Sequence, residues 1–114
     1  MAKIVIDAGH GGSDSGAVGN GIVEKDLNLK ISKYIYDRLK DLGADVYITR
    51  DSDETLSPNE RVNRVLNAFG NKKDVIVVSN HINAGGEKGS CGKLTFFEIK
   101  VKGLSLVLCP FLIH

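Results

Sequence analysis

Three side chains in this sequence have the chemistry and the setting to hold a metal ion: His10, Glu24 and His81. His10 sits in Asp7-Ala8-Gly9-His10-Gly11-Gly12, so a single imidazole is carried on backbone almost bare of side chains, which a ligand can approach closely. His81 sits in Ser79-Asn80-His81-Ile82-Asn83-Ala84-Gly85-Gly86, again a histidine followed by glycines. Two imidazoles and a carboxylate are a donor set typical of catalytic zinc, which keeps three protein ligands and leaves a fourth position for water. Each residue also has an ordinary explanation. A loop histidine is usually a solvated side chain, and a glutamate in a first helical turn complements the helix dipole, which for Glu24 alone is the stronger account. The combination tips the balance, because two of only three histidines in the chain occupy the same kind of strand-end setting. His114 is terminal and receives no role.

The elements that must position these residues follow from patterning. Residues 4–6 and 75–78 are unbroken β-branched runs, the composition of strands covered on both faces. Residues 13–21 are glycine-rich without hydrophobic periodicity and read as a flexible loop over the sheet edge. From Glu24, Leu27, Ile31, Tyr34, Ile35, Leu39 and Leu42 recur at helical spacing, and Gly43 ends the helix. Val46, Tyr47, Ile48 and Thr49 have strand composition. Ser57-Pro58-Asn59-Glu60 is a capping box with proline at the first helical position; Val62, Val65, Leu66 and Phe69 form the stripe behind it, and Gly70 and Asn71 stop it. The order strand, helix, strand, helix, strand predicts a single three-layer α/β domain, a mostly parallel sheet flanked by helices. In that topology the carboxyl ends of the first and third strands share an edge, and the first helix starts beside it. His10, His81 and Glu24 therefore converge.

Composition narrows the alternatives. At 114 residues the chain is one domain, and a net charge of +1 carries no electrostatic signature of nucleic-acid binding. No apolar segment follows Met1, so neither a signal peptide nor a membrane insertion is expected, and synthesis is expected to be cytoplasmic. A monomer is expected. Cys91 and Cys109 lack the close spacing of a metal site and are expected to be free thiols. The glycines after the first strand match neither Gly-x-Gly-x-x-Gly nor a Gly-Lys-Ser/Thr phosphate cradle, and no Gly-x-Ser-x-Gly or His-Glu-x-x-His occurs.

Taken together, Asp7-Ala8-Gly9-His10-Gly11-Gly12, Asp14, Gly16-Ala17, Gly21-x-x-Glu24-Lys25-Asp26 and Ser79-x-His81-x-Asn83-Ala84 resemble the zinc-dependent N-acetylmuramoyl-L-alanine amidases of the Amidase_3 family. Thr49-Arg50-Asp51 and Arg61 fit the same pattern. The resemblance covers residues 3–86 and implies Zn2+ held by His10, Glu24 and His81, with peptidoglycan as the partner. The implied reaction is hydrolysis of the amide joining N-acetylmuramic acid to L-alanine. Members act at the cell wall as autolysins, sporulation lysins and phage endolysins, so action after release or lysis is expected here.

The tail, residues 87–114, departs from the family pattern, which ends on a strand whose glutamate works with the zinc-bound water. Here Leu106-Val107-Leu108 leads to Cys109, and Glu87 and Glu98 are the only acids after His81. This reads as a truncated chain or a changed reading frame. Neither acid sits where the family's glutamate would; Glu98, within a strand expected over residues 94–101, is the candidate substitute for that catalytic acid, and Asn83 is a candidate substrate-binding residue with an alternative as a plain turn former. Two other readings stay open: a fragment that binds zinc and peptidoglycan with little turnover, and a structural α/β domain whose histidines are incidental.

Overall fold

The computed structural model describes residues 3–82 in full and the backbone of 83–84 and 105–113. Glu87, Cys91, Glu98, His114 and the strand expected over 94–101 lie outside the described residues, as do the side chains of Asn83 and Cys109. The elements are β1 (Lys3–Ala8), β2 (Val18–Gly19), β3 (Ile22–Val23), α1 (Glu24–Asp41), β4 (Asp45–Ile48), α2 (Pro58–Phe69), β5 (Val75–Ala84) and β6 (Ser105–Ile113). The main sheet runs β4-β1-β5-β6, with every neighbouring pair parallel.

Alternation along the strands separates the two faces. Val5, Val75 and Val77 are buried together against Val65, Ala68 and Phe69 of α2. Ile6, Ala8 and Asn80 point the other way, where Asn80 Nδ2 donates to the Asn28 carbonyl of α1. Helices therefore cover both faces, and the three-layer architecture expected from the element order is the one observed.

Four local expectations change. Residues 13–21 are not a shapeless loop, because Val18 pairs with Val23 and Gly19 with Ile22 across a two-residue turn. Asn20 (φ 51) and Gly21 (φ 76) supply the positive backbone angles of a type I′ hairpin, and Asn-Gly is the strongest short-range hairpin signal. β5 does not stop at Val78 but continues through Ala84, placing His81 on a strand. Its polar half, Ser79-Asn80-His81, lacks strand composition and is held extended by pairing with β6 and, at Ser79 and Asn80, with β1.

On α2, Val62 is 54% exposed, since the inward line at four-residue spacing is Arg61, Val65 and Phe69. On α1, Tyr34 and Leu42 are exposed, and the fully buried line is the polar series Glu24, Asn28 and Ser32. The functional edge of the sheet thus claims the innermost row of the first helix.

The helix boundaries stand as read. Ser57 Oγ accepts from the Glu60 amide at 3.1 Å. At the end of α1, Gly43 N donates to Lys40 O and Ala44 N to Leu39 O, the paired bonds of a Schellman motif, with Gly43 at φ 81. A Cβ added at Gly43 would meet nothing within 4 Å, so the cost of a side chain there is purely conformational. Gly43→Ala is expected to destabilise the domain by about 1–2 kcal/mol and Gly43→Asn by less, read from urea midpoints; equal midpoints for all three proteins would show that this backbone angle is not limiting.

Candidate metal centre

The loop leaving β1 turns within three residues, and each of the three has a positive φ: His10 (60), Gly11 (134) and Gly12 (57). For a histidine this left-handed angle costs roughly 1–2 kcal/mol, so the surroundings must hold it. They do so through the carbonyls at the end of β1. Arg50 donates from Nε to Ala8 O at 3.1 Å and from Nη2 to Gly9 O at 2.9 Å, and Arg61 donates from Nη2 to His10 O at 3.0 Å. Reciprocal bonds between Gly11 and Asp14 close the turn. Lys25 Nζ ties Gly12 O to Asp53, whose other carboxylate oxygen accepts from Gly12 N.

Beneath this loop, Asp7 is only 5% exposed and ties β1 to β5, to α2 and to the segment that follows β4. Its carboxylate accepts from Thr49 Oγ1 and Ser79 Oγ, each at 2.8 Å, and from Arg61 Nη1 at 2.7 Å. Both arginines were visible in the sequence as parts of a pattern. Their work of gripping bare carbonyls at a strand end has no local sequence signal.

His10 Nδ1 lies 2.8 Å from Asp14 Oδ2. The bond to His10, together with one from the Gly16 amide, holds the Asp14 carboxyl below the usual carboxylate range. A carboxylate on Nδ1 fixes the proton there and leaves the Nε2 lone pair free, the arrangement seen in metal-bound histidines. That Nε2 faces Glu24 Oε1 at 3.2 Å.

Glu24 opens α1 at 3% exposure. Burial pushes its carboxyl up, but amide bonds from Ala17 N to Oε2 at 2.7 Å and from Ile82 N to Oε1 at 2.8 Å, the His10 imidazole and Asn28 outweigh it; the net shift is downward, so the group is ionised. His81 Nδ1 approaches the same Oε1 at 3.5 Å. Burial, and then the neighbouring His10, lower the His81 pKa against the opposing pull of Asp7 and Glu24, which keeps its ring neutral with a lone pair to offer.

Two glycines make room for this convergence. A Cβ on Gly9 would lie 2.5 Å from His81 Cε1, and one on Gly16 would lie 2.6 Å from Glu24 Oε2 and 2.7 Å from His10 Cδ2. The space beside His10 is therefore filled by protein rings and a carboxylate, where the sequence suggests an approach path for a ligand.

The donor atoms of His10, Glu24 and His81 all lie within 4.8 Å of one another, with the two rings 5.1 Å apart at 85°. A tetrahedral ion with bonds of about 2.1 Å needs ligand atoms about 3.4 Å apart. The separations of 3.2 and 3.5 Å to Glu24 Oε1 fit that edge length. Among the described residues this is the one group of three such side chains so placed.

Residues 4–106 match the Amidase_3 family, described as N-acetylmuramoyl-L-alanine amidase. The chain belongs to this family. The uncharacterized protein YqiI of Bacillus subtilis (strain 168) is 45% identical over 100 residues, covering 88% of this chain and 46% of that protein. The endolysin of Bacillus phage SPP1 is 48% identical over 107 residues, covering 92% of this chain and 37% of that one. Among solved structures, the catalytic domain of CwlV, an N-acetylmuramoyl-L-alanine amidase from Bacillus (Paenibacillus) polymyxa var. colistinus, aligns with a TM-score of 0.68 at 38% identity, over 79% of this chain and 50% of that one. The chain thus spans less than half the length of these two curated relatives. Proteins of this family are in general metal-dependent, and His10, Glu24 and His81 form the possible metal site of this member.

The carboxylate on His10 Nδ1 generates a prediction. Asp14→Asn is expected to weaken metal binding by about 10- to 100-fold in competition with a chelator, because the imidazole loses its fixed tautomer and part of its basicity. Unchanged affinity would make the His10–Asp14 bond incidental to the site.

Proposed function

We propose that this chain is a zinc amidohydrolase that cleaves the amide bond between N-acetylmuramic acid and L-alanine in peptidoglycan. The observation that carries the reading is the convergence of His10 Nε2 and His81 Nδ1 on Glu24 Oε1, at 3.2 and 3.5 Å, in a member of an amidase family. Nitrogen and carboxylate donors without thiolate suit zinc, and the three-ligand set matches zinc centres that keep an open position. Bound there, zinc supplies a Lewis acid for the scissile carbonyl and a water acidic enough to attack near neutral pH.

The protein's own contribution is preorganisation. Asp14 presents the His10 lone pair, backbone amides from two separate elements hold the Glu24 carboxylate, and the arginine grip keeps the His10 turn rigid while substrate binds. The leaving amine also needs a proton. Glu98 is the sequence candidate to deliver it, and Asn83, whose backbone lies two residues beyond His81 on β5, is the candidate to orient a substrate amide. The chain acts as a monomer on the cell wall, in the manner of an autolysin or endolysin; the phage SPP1 relative is named for the latter role. Among the described residues no helix is long and apolar enough to cross a membrane.

Digestion of purified peptidoglycan tests the reaction. The wild-type chain, loaded with about one zinc, is expected to release new L-alanine amino termini, and the His10→Ala/His81→Ala double variant neither to hold zinc nor to release them. Zinc and wall binding without new amino termini would replace hydrolysis by a binding role; no zinc at all would reduce the chain to a structural α/β domain.

General acid-base catalysis contributes about 10²–10⁴-fold, so Glu98→Gln is expected to lower the rate of amide hydrolysis by a factor within that range, with zinc content unchanged. An unaltered rate would remove Glu98 from the reaction.

A further inference from the structure

We infer that Asn28 is a positioning residue of the metal centre, holding the His10 loop and the Glu24 carboxylate at the separation that a shared ion requires. The inference rests on the metal-binding reading above and adds a residue outside the ligand set. Asn28 is completely buried and lies one helical turn after Glu24 on the same face of α1. Its Nδ2 donates to Gly9 O, the carbonyl next to His10, at 3.1 Å, and reaches Glu24 Oε1 at 3.4 Å. One amide group therefore spans the segment that carries one ligand and the side chain that is another. The third segment closes on the same point: Asn80, adjacent to His81, donates from Nδ2 to Asn28 O and accepts from Gly9 N.

The orientation of this amide is dictated by its neighbours. Turned over, its oxygen would face the Gly9 carbonyl and the Glu24 carboxylate, two acceptors with no proton to offer. In the orientation observed, Oδ1 points into the interior and has no partner among the described residues. The hydroxyl of Ser32, one turn further along α1, is likewise without a partner among them and so does not satisfy it.

A buried amide oxygen left unpaired weakens a fold, and an apolar side chain of similar size would avoid it. Neither acceptor needs Asn28 for its own satisfaction. Gly9 O also receives Arg50 Nη2 at 2.9 Å, and Glu24 Oε1 also receives Ile82 N at 2.8 Å. The bond to Glu24 helps keep the buried carboxylate ionised, and the pair of bonds together fixes the relative placement of two ligand-bearing groups.

The test separates the two roles in the intact chain. Asn28→Leu removes the amide oxygen and both donor contacts, keeps the branched shape and the number of heavy atoms, and improves helix propensity. The metal-free variant is expected to fold and to melt in a single cooperative transition. Its zinc affinity, measured by competition with a chromophoric chelator, is expected to fall by about 10- to 100-fold, with a shifted visible absorption spectrum for the cobalt-substituted protein. Asn28→Ala, which cannot overpack, is the second variant and is expected to show the same loss of affinity per folded molecule. Wild-type zinc affinity in either folded variant, or a lower melting temperature with affinity intact, overturns the proposal and makes Asn28 a packing residue. Failure of the wild-type chain itself to bind zinc would instead remove the metal reading, so the two failures are distinct.

Discussion

A carboxylate at 3% exposure has left water behind and must be met by donors from the protein, and the functional end of this fold is built around meeting that demand for Glu24. Its two oxygens receive the amide of Ala17, at the foot of the β2–β3 hairpin, and the amide of Ile82 on β5. The Glu24 amide in turn donates to Ala17 O, so the hairpin and the first turn of α1 lock each other. The same oxygen that faces Ile82 also faces both histidines. Satisfying one buried charge therefore brings three segments, distant in sequence, to within bonding distance of a single point.

The His10 side of the site is organised by a complementary problem, that of bare carbonyls at a strand end. A parallel strand that stops abruptly in a glycine-rich turn leaves acceptors that no helix or strand can pair. Two guanidiniums fill that role here, and their planar, multi-donor geometry suits several carbonyls at once. Arg50 alone reaches the carbonyls of Ala8, Gly9, Lys25 and Ser52. Burial lowers its pKa, but a guanidinium keeps its charge in any protein interior, so the grip does not depend on pH near neutrality. Arg61 adds an ion pair to Asp7 and thereby fastens α2 to the same turn. The strained angle at His10 persists because these contacts, coming from both helices' sides of the sheet, over-determine it.

These requirements explain why the interior near the site is polar while the opposite end of the sheet is packed with valine. Val5, Val75 and Val77 against α2 form a conventional apolar core. Moving along β1 and β5 toward their carboxyl ends, Asp7, Ser79 and Asn80 join Ala8 and Ile82 among the buried residues, and each of the three is engaged in side-chain hydrogen bonds. The sheet thus grades from a region that supplies stability to one that supplies geometry, over a few residues of each strand.

Much of this was legible in the residues alone. The β-branched runs, the helical period after Glu24, the Ser57 cap and the Gly43 stop are local signals, and each maps onto an observed element because local backbone preference and tertiary packing agree there. The order of those elements, with the right-handed crossover rule, was enough to bring His10, Glu24 and His81 to one edge. The Asn20-Gly21 hairpin was equally local and was there to be read. Only the tertiary structure decided the rest. That His81 lies on a strand depends on β6 pairing alongside a polar segment. That Tyr34 and Val62 face outward while Asn28 and Arg61 face inward depends on which partners wait across the sheet. Hydrophobic periodicity records which side chains avoid water, whereas a polar side chain is drawn inside by donors and acceptors contributed from elsewhere in the chain, and that information exists only once the chain has folded.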